Sequence, residues 1–286
     1  MRKNRAIGVA AVLLLLILIT VQGLLLFNRQ EAASVNCFVE DFDTPRTIEE
    51  NHPIEESGDP DWWLNSGAYF YIGDGVGRSI QGNLPSDDFW RLRYNETSPD
   101  NTRSGYRPQN ILRLISRSVW QNTTQQAYFK INYYDLDNPH ETREGSNAVL
   151  LFSRYVDGDN LYYAGIRVDG QVVIKKKVDG DYTTLGAAKV LPGIYDRDSN
   201  PNLLPLDEWI GVRLDVENLT PGTVALTLYT DVGWTGDWQL ALAVTDTHCD
   251  DAGLALHNAA HVGIRTDYMD VVVEDYQVCE ITPSHD

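Results

Sequence analysis

The chain has 286 residues, of which 43% are hydrophobic, and its formal net charge at pH 7 is −18. That hydrophobic fraction excludes global disorder and suffices for one large all-β domain or two small domains. The acidic balance argues against nucleic acid as a partner, because binding to a phosphate backbone needs clustered Lys and Arg side chains.

The N-terminal residues predict a membrane anchor. A basic tail at 1–5 precedes an uncharged stretch at 6–27, which as a helix would extend about 33 Å at roughly 1.5 Å per residue. The positive-inside rule places the basic tail in the cytoplasm and exports the rest of the chain. We therefore predict a single-pass protein of the cell membrane with an extracytoplasmic domain. Its predicted parts are a cytoplasmic tail at 1–5, a transmembrane signal anchor at 6–27, a linker at 28–36, the folded domain at 37–280 and a tail at 281–286.

A cleaved signal peptide is the alternative interpretation of the same segment. Small residues at Val21-Gln22-Gly23 suit a cleavage site, and cleavage there would yield a secreted protein. The apolar run continues past that position to Phe27, which favours the uncleaved anchor. Both interpretations place the folded domain outside the cytoplasm.

Short strands separated by turn signals dominate the chain from Cys37 onward. The clearest stretch is a meander with Val-Asp-Gly at 156–158, 168–170 and 178–180, and Asp-Gly suits tight hairpin turns. Side chains alternate in the middle strand, so that one face carries Tyr162, Ala164, Ile166 and Val168 and the other carries Tyr163, Gly165 and Arg167. We predict a sheet with one core face and one wetter, aromatic face.

About twelve strands are expected in total, which predicts an all-β jelly-roll sandwich. The internal strands are predicted at 111–119, 127–134, 148–155, 161–168, 171–178, 209–216, 224–229, 239–244, 261–265 and 271–278. Segments 45–61 and 192–205 are rich in Pro and polar residues and predict long surface loops. Cys37 and Cys279 lie in the first and last predicted strands, which often pair in sandwiches. We therefore expect a disulfide between them, with Cys249 left over.

Six segments, in this order along the chain, resemble the concanavalin A-like lectin/glucanase superfamily, especially its laminin-G-like jelly rolls. They are Phe38-Val-Glu-Asp-Phe42 with Trp63-Leu-Asn-Ser-Gly67, Tyr162-Tyr-Ala-Gly-Ile-Arg-Val-Asp-Gly170, Asp207-Glu-Trp-Ile-Gly-Val-Arg-Leu214, Val262-Gly-Ile-Arg-Thr-Asp267 and Val273-Glu-Asp-Tyr-Gln-Val278. The resemblance spans residues 37–280. It implies the fold more strongly than the function, because one fold hosts many activities.

The resemblance also implies candidate sites. Jelly rolls of this kind often tie their first and last strands with a structural calcium ion, for which the acidic pairs Glu40–Asp41 and Glu274–Asp275 are the candidates. Glycosidases of the superfamily carry a Glu-x-Asp-x-x-Glu strand, and its alginate lyases carry a Gln-x-His strand. Neither pattern occurs in this sequence, so the sequence favours a binding module over an enzyme and offers no catalytic residue.

Aromatic residues at predicted loops and strand ends are candidate platforms for sugar rings. The segment Gly233-Trp-Thr-Gly-Asp-Trp238 is the foremost candidate, because its glycines free the backbone and Asp237 accepts hydrogen bonds from hydroxyls. The predicted ligand-binding residues are Trp234, Asp237, Trp238, Trp62, Trp90 and Tyr106. The opposing interpretation of each Trp is a core residue.

Three functions remain open from the sequence. The first is a lectin-like module that binds a carbohydrate or a cell-surface glycan, with a protein as the alternative partner. The second is a divergent polysaccharide hydrolase or lyase, which would need a cleft lined by two carboxylates or by a Tyr/His/Arg set from separate strands. The third is a structural or adhesion domain, which would show no cleft.

Overall fold

The computed structural model describes residues 36–136, 144–220, 222–247 and 256–281. These ranges form a β-sandwich with one α-helix, α1, at Phe89–Thr97, and short 3-10 helices at Ile54–Glu56 and Pro108–Asn110. The strands are β1 Cys37–Glu40, β2 Arg46–Glu49, β3 Trp62–Ser66, β4 Tyr69–Gly73, β5 Val76–Ser79, β6 Ile111–Trp120, β7 Thr123–Tyr134, β8 Ala148–Asp157, β9 Asn160–Arg167, β10 Gln171–Val178, β11 Asp181–Lys189, β12 Trp209–Thr220, β13 Thr223–Val232, β14 Gln239–Asp246, β15 Ala260–Asp267 and β16 Met269–Glu280.

Two antiparallel sheets make the sandwich. The seven-stranded sheet has the order β11-β10-β9-β8-β15-β6-β3, and the larger sheet has the order β14-β13-β12-β7-β16-β5-β4-β2 with β1 added against β16. Strand alternation sends every second side chain of each sheet into the space between them. The main core there includes Leu64, Val149 and Ile264 from the smaller sheet and Phe129, Val212 and Val273 from the larger one.

The hairpins of the predicted meander are present and its core face is confirmed, but the opposite face is less wet than predicted, since Tyr163 is buried there. Asp179 and Gly180 both have positive φ between β10 and β11, as a tight hairpin turn requires. Tyr162, Ala164, Ile166 and Val168 are in the main core, whereas Tyr163 belongs to a second apolar cluster on the opposite face. The seven-stranded sheet therefore has an outer face that is partly apolar, and the candidate site lies on it.

The predicted disulfide joins Cys37 to Cys279, which are direct cross-strand partners of β1 and β16. Their separation of 242 residues means that the bridge closes nearly the whole domain into one loop. The first and last strands are thereby tied covalently as well as by their ladder.

The strand count differs from the prediction, because the described ranges contain sixteen strands instead of about twelve. All ten predicted internal strands are present, and the additional strands are short or polar: β2 to β5 near the N-terminal end, and β11. The predicted loop at 45–61 in fact contains β2, since Ile48 reaches the core. Helix α1 has no counterpart among the predicted elements, and it is capped by Asp88, whose side chain accepts from the backbone N–H groups of Trp90 and Arg91.

The predicted anchor at 6–27 and linker residues 28–35 lie outside the described residues, as do residues 282–286 of the predicted tail. Among the residues that the structure does describe, no helix has the length and apolar character needed to cross a bilayer.

Candidate functional site

The outer face of the seven-stranded sheet carries an elongated groove. Alternation with the core residues of β6, β8, β9, β10 and β15 places the groove side chains on this face. One end of the face is filled by Trp63, Phe152 and Tyr155, which pack with Ile54 of the 3-10 helix at Ile54–Glu56. The groove lies beside this cluster, and its walls include residues of β6, β8, β9, β10, β11 and β15.

The main compartment of the groove has a volume of about 520 Å³, which is the size of a small-ligand site. A second, smaller compartment shares three walls with it, namely Tyr163, Tyr182 and Arg265. The main compartment is further lined by Asn101, Ile111, Glu144, Ser146, Asn147, Leu150, Lys175, Asp267 and Tyr268. The smaller one is further lined by Arg113, Phe152, Tyr155, Gly158, Leu161 and Lys177.

Two tyrosines separate the compartments. Tyr163 of β9 meets Tyr182 of β11 edge to face, with ring centroids 5.9 Å apart. Tyr182 is 53% exposed and presents a large ring to the groove. The ammonium of Lys175 lies 5.7 Å from the Tyr182 ring centre and that of Lys177 lies 4.9 Å from it. Such contacts hold an amphipathic ring in place at the rim.

Cations line the floor of the groove. Arg265 of β15 donates a hydrogen bond from Nε to Asp267 Oδ1 at 2.8 Å, and this neighbouring carboxylate raises the pKa of Arg265. Arg113 of β6 lies directly opposite Arg265 in the β6–β15 ladder. Lys177 pairs with Asp159 at 2.8 Å. The groove is thus locally basic on a protein of net charge −18.

Neutral polar groups complete the main compartment. Tyr268 donates its hydroxyl to Asn101 Oδ1 at 2.8 Å, and Asn147 donates its amide to the Tyr134 hydroxyl at 3.0 Å. Ser146 donates to the Glu144 carboxylate at 3.1 Å. These contacts hold the polar side chains of the compartment in fixed orientations.

Burial also sets the ionisation state of Tyr163. Burial raises the pKa of Tyr163, and the opposing effect of Arg265 does not cancel it. A tyrosine that acts as a general base must lose its proton near neutral pH. Tyr163 therefore keeps its proton at neutral pH.

Two of the predicted platforms are core residues, which corrects the sequence-based prediction. Trp62 is 0% exposed, because β3 directs it between the sheets, where its ring meets Tyr276 at 4.8 Å. Its indole N–H donates to Glu40 at 2.9 Å. Trp90 is also buried, in a small cluster with Tyr94 under helix α1. Neither ring is accessible to a sugar.

Tyr106 is half-buried, with the Arg91 guanidinium 3.9 Å above the centre of its ring. One face of the ring is therefore already covered by a cation. A ligand-binding role for Tyr106 stays a prediction, and this residue does not line the groove.

The segment 233–238 lies on the outer face of the larger sheet, away from the groove. Trp234 stacks on Tyr128 with centroids 4.3 Å apart and planes 6° from parallel, and Trp238 contacts the same tyrosine at 5.3 Å. Both indoles are half-buried, whereas Asp237 is exposed. Their predicted ligand-binding role is not tested by this arrangement, which shows that one face of Trp234 is already occupied.

A buried aspartate holds this segment in place. Asp231 accepts hydrogen bonds from the hydroxyl of Thr235, from the Tyr128 hydroxyl at 2.7 Å, and from the backbone N–H groups of Thr235 and Gly236. Burial alone would raise the pKa of Asp231, but these hydrogen bonds hold it below its ordinary value of 3.8. The segment is therefore built around one charged acceptor.

We expect Asp231→Asn to lower the free energy of unfolding by about 2–3 kcal/mol, because an amide cannot replace four bonds to a carboxylate. Since the folded-state pKa is depressed, the contribution of Asp231 is present above pH 3.8 and is lost as the pH falls below it. Urea unfolding of both proteins at pH 7 and pH 3 measures the effect. Equal stabilities at pH 7 would contradict this role, and the exposed Asp237→Asn is the control.

The acidic pairs proposed for calcium do not converge. Glu40 points inward and accepts from Arg46 at 2.5 Å and from the Trp62 indole, whereas alternation with inward-facing Val273 directs Glu274 outward. Asp41 is exposed, and Asp275 accepts from Gln126 at 2.8 Å. Within the described part of the chain, no three His, Cys, Asp or Glu side chains are grouped to hold a metal ion. These residues do not fit a calcium site in this arrangement, and structural calcium remains a prediction.

The sequence pattern does not identify the groove residues as a site, although the Val-Asp-Gly turns do point to the strand that carries one of them. Three Val-Asp-Gly turns imply four strands, and the strand after the third turn is β11, which carries Tyr182. The proximity of Arg113 and Arg265 depends on the pairing of β6 with β15, strands that are 140 residues or more apart along the chain. No local pattern reports that pairing.

No protein-family model matches this chain, and neither does any curated protein. Among solved structures, the chain is similar to the carbohydrate-binding module CBM66 from Bacillus subtilis, with 11% identity and a TM-score of 0.46 over 76% of this chain and 94% of that one. It is also similar to the PL-14 alginate lyase from Aplysia kurodai, with 10% identity and a TM-score of 0.41 over 83% and 98% of the two chains.

The GH43 BlXynB protein from Bacillus licheniformis is similar at 12% identity and a TM-score of 0.43. The match covers 85% of this chain and 39% of that chain, so this chain spans about two fifths of that protein's length. At identities this low, these likenesses assign no function to this chain.

Proposed function

We propose that the domain binds carbohydrate in the groove on the outer face of the seven-stranded sheet. The observation that carries the proposal is a groove of about 520 Å³ that combines the exposed ring of Tyr182 with fixed amide, hydroxyl and carboxylate groups. We also place the sandwich among the concanavalin A-like jelly rolls, on the order of the sequence motifs given above.

Sugar recognition needs the two kinds of surface that meet here. A pyranose ring has an apolar face of C–H groups, which an aromatic ring covers, and a rim of hydroxyls, which needs both donors and acceptors. Tyr182 supplies the first, while Asn101, Asn147 and Glu144 are placed around the same compartment to supply the second. Fixed polar groups in a concave site give orientation and selectivity.

A polysaccharide hydrolase is the less favoured alternative, because the carboxylates of the groove have other partners. Asp267 is bound to Arg265 at 2.8 Å, and Glu144 accepts from Ser146. A hydrolase needs one carboxyl group with a raised pKa beside an ionised one. A lyase needs a base, and burial keeps Tyr163 protonated. Binding without bond cleavage fits these groups better.

An adhesion function is favoured less, since a flat adhesive face would not contain a groove of about 520 Å³. We further propose that the domain is displayed outside the cytoplasm through the segment 6–27. The Cys37–Cys279 bridge supports the compartment, because disulfides persist in oxidising environments.

Replacing Tyr182 with Ala is expected to weaken saccharide binding by about tenfold, since the exposed platform of the groove is removed. The purified protein is titrated with xylan, mixed-linkage glucan, dextran, polygalacturonate and dextran sulfate, and affinity is measured by thermophoresis. The matched control is Tyr71→Ala, which removes a tyrosine that is 39% exposed on β4 of the other sheet. The same samples are assayed for released fragments.

Binding that falls in Tyr182→Ala and persists in Tyr71→Ala supports the proposal. Equal binding by both variants would place the saccharide elsewhere on the molecule. Release of fragments would show the alternative, an enzyme, and the absence of binding to any polymer would leave adhesion as the better function.

A further inference from the structure

The charges of the groove differ in sign from those of the whole chain. Four basic side chains line the two compartments, Arg113, Arg265, Lys175 and Lys177, against the two acidic side chains Glu144 and Asp267. The chain as a whole has 41 acidic and only 23 basic residues. The overall composition of the chain is acidic, so the positive charge of the groove comes from where these four side chains lie in the fold.

Arg113 and Arg265 are two like charges placed directly opposite each other, which lowers the stability of the sheet. They are direct partners on neighbouring antiparallel strands, and both project to the outer face beside inward-facing Leu114 and Ile264. Like charges in that relation repel each other. Asp267 neutralises Arg265 alone, and no ion pair joins Arg113 to any described residue. Among the described residues, the second guanidinium therefore has no ion-pair partner.

Lys175 is a second cation of this kind, at the other side of the groove. It is half-buried on β10 and lies near the rings of Tyr163 and Tyr182, at 5.9 Å and 5.7 Å from their centres. No carboxylate within the described ranges forms an ion pair with it. Its ammonium therefore has aromatic neighbours but no ion-pair partner among the described residues.

The two cations are far enough apart to bind different units of a chain. The order β6-β15-β8-β9-β10 separates Arg113 from Lys175 by four strand spacings, or about 19 Å at roughly 4.8 Å each. That span exceeds a single sugar. The exposed ring of Tyr182 and the shared wall of Arg265 lie within the same groove.

We propose that the groove selects an acidic oligosaccharide, whose carboxylate or sulfate groups bind Arg113 and Lys175 while its sugar rings contact Tyr182. This inference rests on the proposed carbohydrate binding and adds the ligand class. The guanidinium of Arg113 offers the paired donors that suit a planar carboxylate or a sulfate, and Lys175 offers a point charge. The repulsion between Arg113 and Arg265 is relieved when the anion binds.

The overall negative charge does not oppose this binding at physiological salt. At an ionic strength of about 0.15 M the Debye length is roughly 8 Å, so distant carboxylates are largely screened. Contacts inside the groove are shorter than that and are retained. Affinity for the acidic ligand is therefore expected to fall only gradually as salt rises.

The test uses two matched pairs of polymers at about 0.15 M NaCl: polygalacturonate with its methyl ester, and dextran sulfate with dextran. We expect at least one charged polymer to bind about tenfold or more tightly than its neutral partner. The first pair reports on carboxylate and the second on sulfate. Arg113→Gln and Lys175→Gln are each expected to weaken binding of the charged polymer about tenfold, with no loss for the neutral one.

The control is Arg78→Gln, which makes the same charge change on β5 of the other sheet, where no ion pair to a described residue is formed. It is expected to bind as the parent does.

Thermal unfolding distinguishes a loss of binding from a loss of folding. Arg113→Gln is expected to unfold at a temperature no lower than that of the parent, because the substitution removes the repulsion with Arg265. Reduced binding with an unreduced unfolding temperature is the signature of a ligand contact.

Several results would overturn the inference. Equal or tighter binding of the neutral partners, still dependent on Tyr182, would leave carbohydrate binding intact and remove the acidic ligand class. Charged polymers that bind equally well to the parent, Arg113→Gln and Lys175→Gln would show attraction outside the groove. Failure of all four polymers, together with Tyr182-dependent binding of xylan or glucan, would refute the acidic ligand alone, whereas failure of every saccharide would refute both proposals.

Discussion

Trp62→Ala is expected to lower the free energy of unfolding by about 3–5 kcal/mol, the range found when a large core aromatic is truncated. Trp62 is 0% exposed and packs between Phe38 and Tyr276, with centroids 5.7 Å and 4.8 Å away. The variant also leaves the buried Glu40 carboxylate without the indole donor. Urea unfolding followed by linear extrapolation measures the change.

The same variant separates a core role from a ligand role, because the sequence alone allowed both. Under conditions where the variant is folded, its affinity for saccharide is expected to equal that of the parent. Trp238→Ala is the matched control, since that indole is half-buried on the larger sheet and its loss costs less stability. A Trp62→Ala protein of normal stability that no longer binds saccharide would contradict the core assignment.

Loss of the Cys37–Cys279 bridge is the second large effect. The bridge closes a loop with a sequence separation of 242, and in the chain-entropy model a loop of that length contributes about 5 kcal/mol by restricting the unfolded state. The Cys37→Ser/Cys279→Ser double variant is therefore expected to lose about 3–5 kcal/mol of unfolding free energy. Thermal and urea unfolding under oxidising conditions give the value.

Cys249→Ser is the control for the disulfide, because the bridge joins the other two cysteines. It is expected to unfold as the parent does in the absence of reductant. If instead Cys249→Ser were as unstable as the double variant, the pairing of Cys37 with Cys279 would be wrong. Addition of reductant to the parent should reproduce the double variant's unfolding midpoint.

The sequence predicted the regular part of the fold because its signals there are local. The Asp-Gly turns and the alternation along 148–178 report backbone conformation and side-chain direction directly, and the inward set around Tyr162 is in the core. Short strands such as Val76–Ser79 give no comparable signal, since their four residues are too few to show an apolar alternation. Their pairing with β16 depends on the whole sheet.

The candidate site was harder to predict, since it depends on which strands are neighbours. Alternation correctly separates Tyr163 and Arg167 from the core face, but Tyr163 is buried, and the partners that make a groove there include residues of β6, β11 and β15. The abundance of tryptophan does not locate the groove either: Trp62 is a core residue, whereas the exposed ring in the groove is that of Tyr182 on β11. Residue type alone does not report exposure.

Hydrogen–deuterium exchange with and without a polygalacturonate oligosaccharide tests the central claim, that saccharide binds in the groove over the seven-stranded sheet. The parent protein is measured beside Tyr182→Ala at equal ligand concentration. We predict that added protection is concentrated in residues 160–189 and in Ala260–Asp267, and that it is lost in the variant. Protection that is found instead in residues 231–246 of the larger sheet, and that persists in Tyr182→Ala, would contradict the claim. The saccharide would then bind near Trp234 and Trp238.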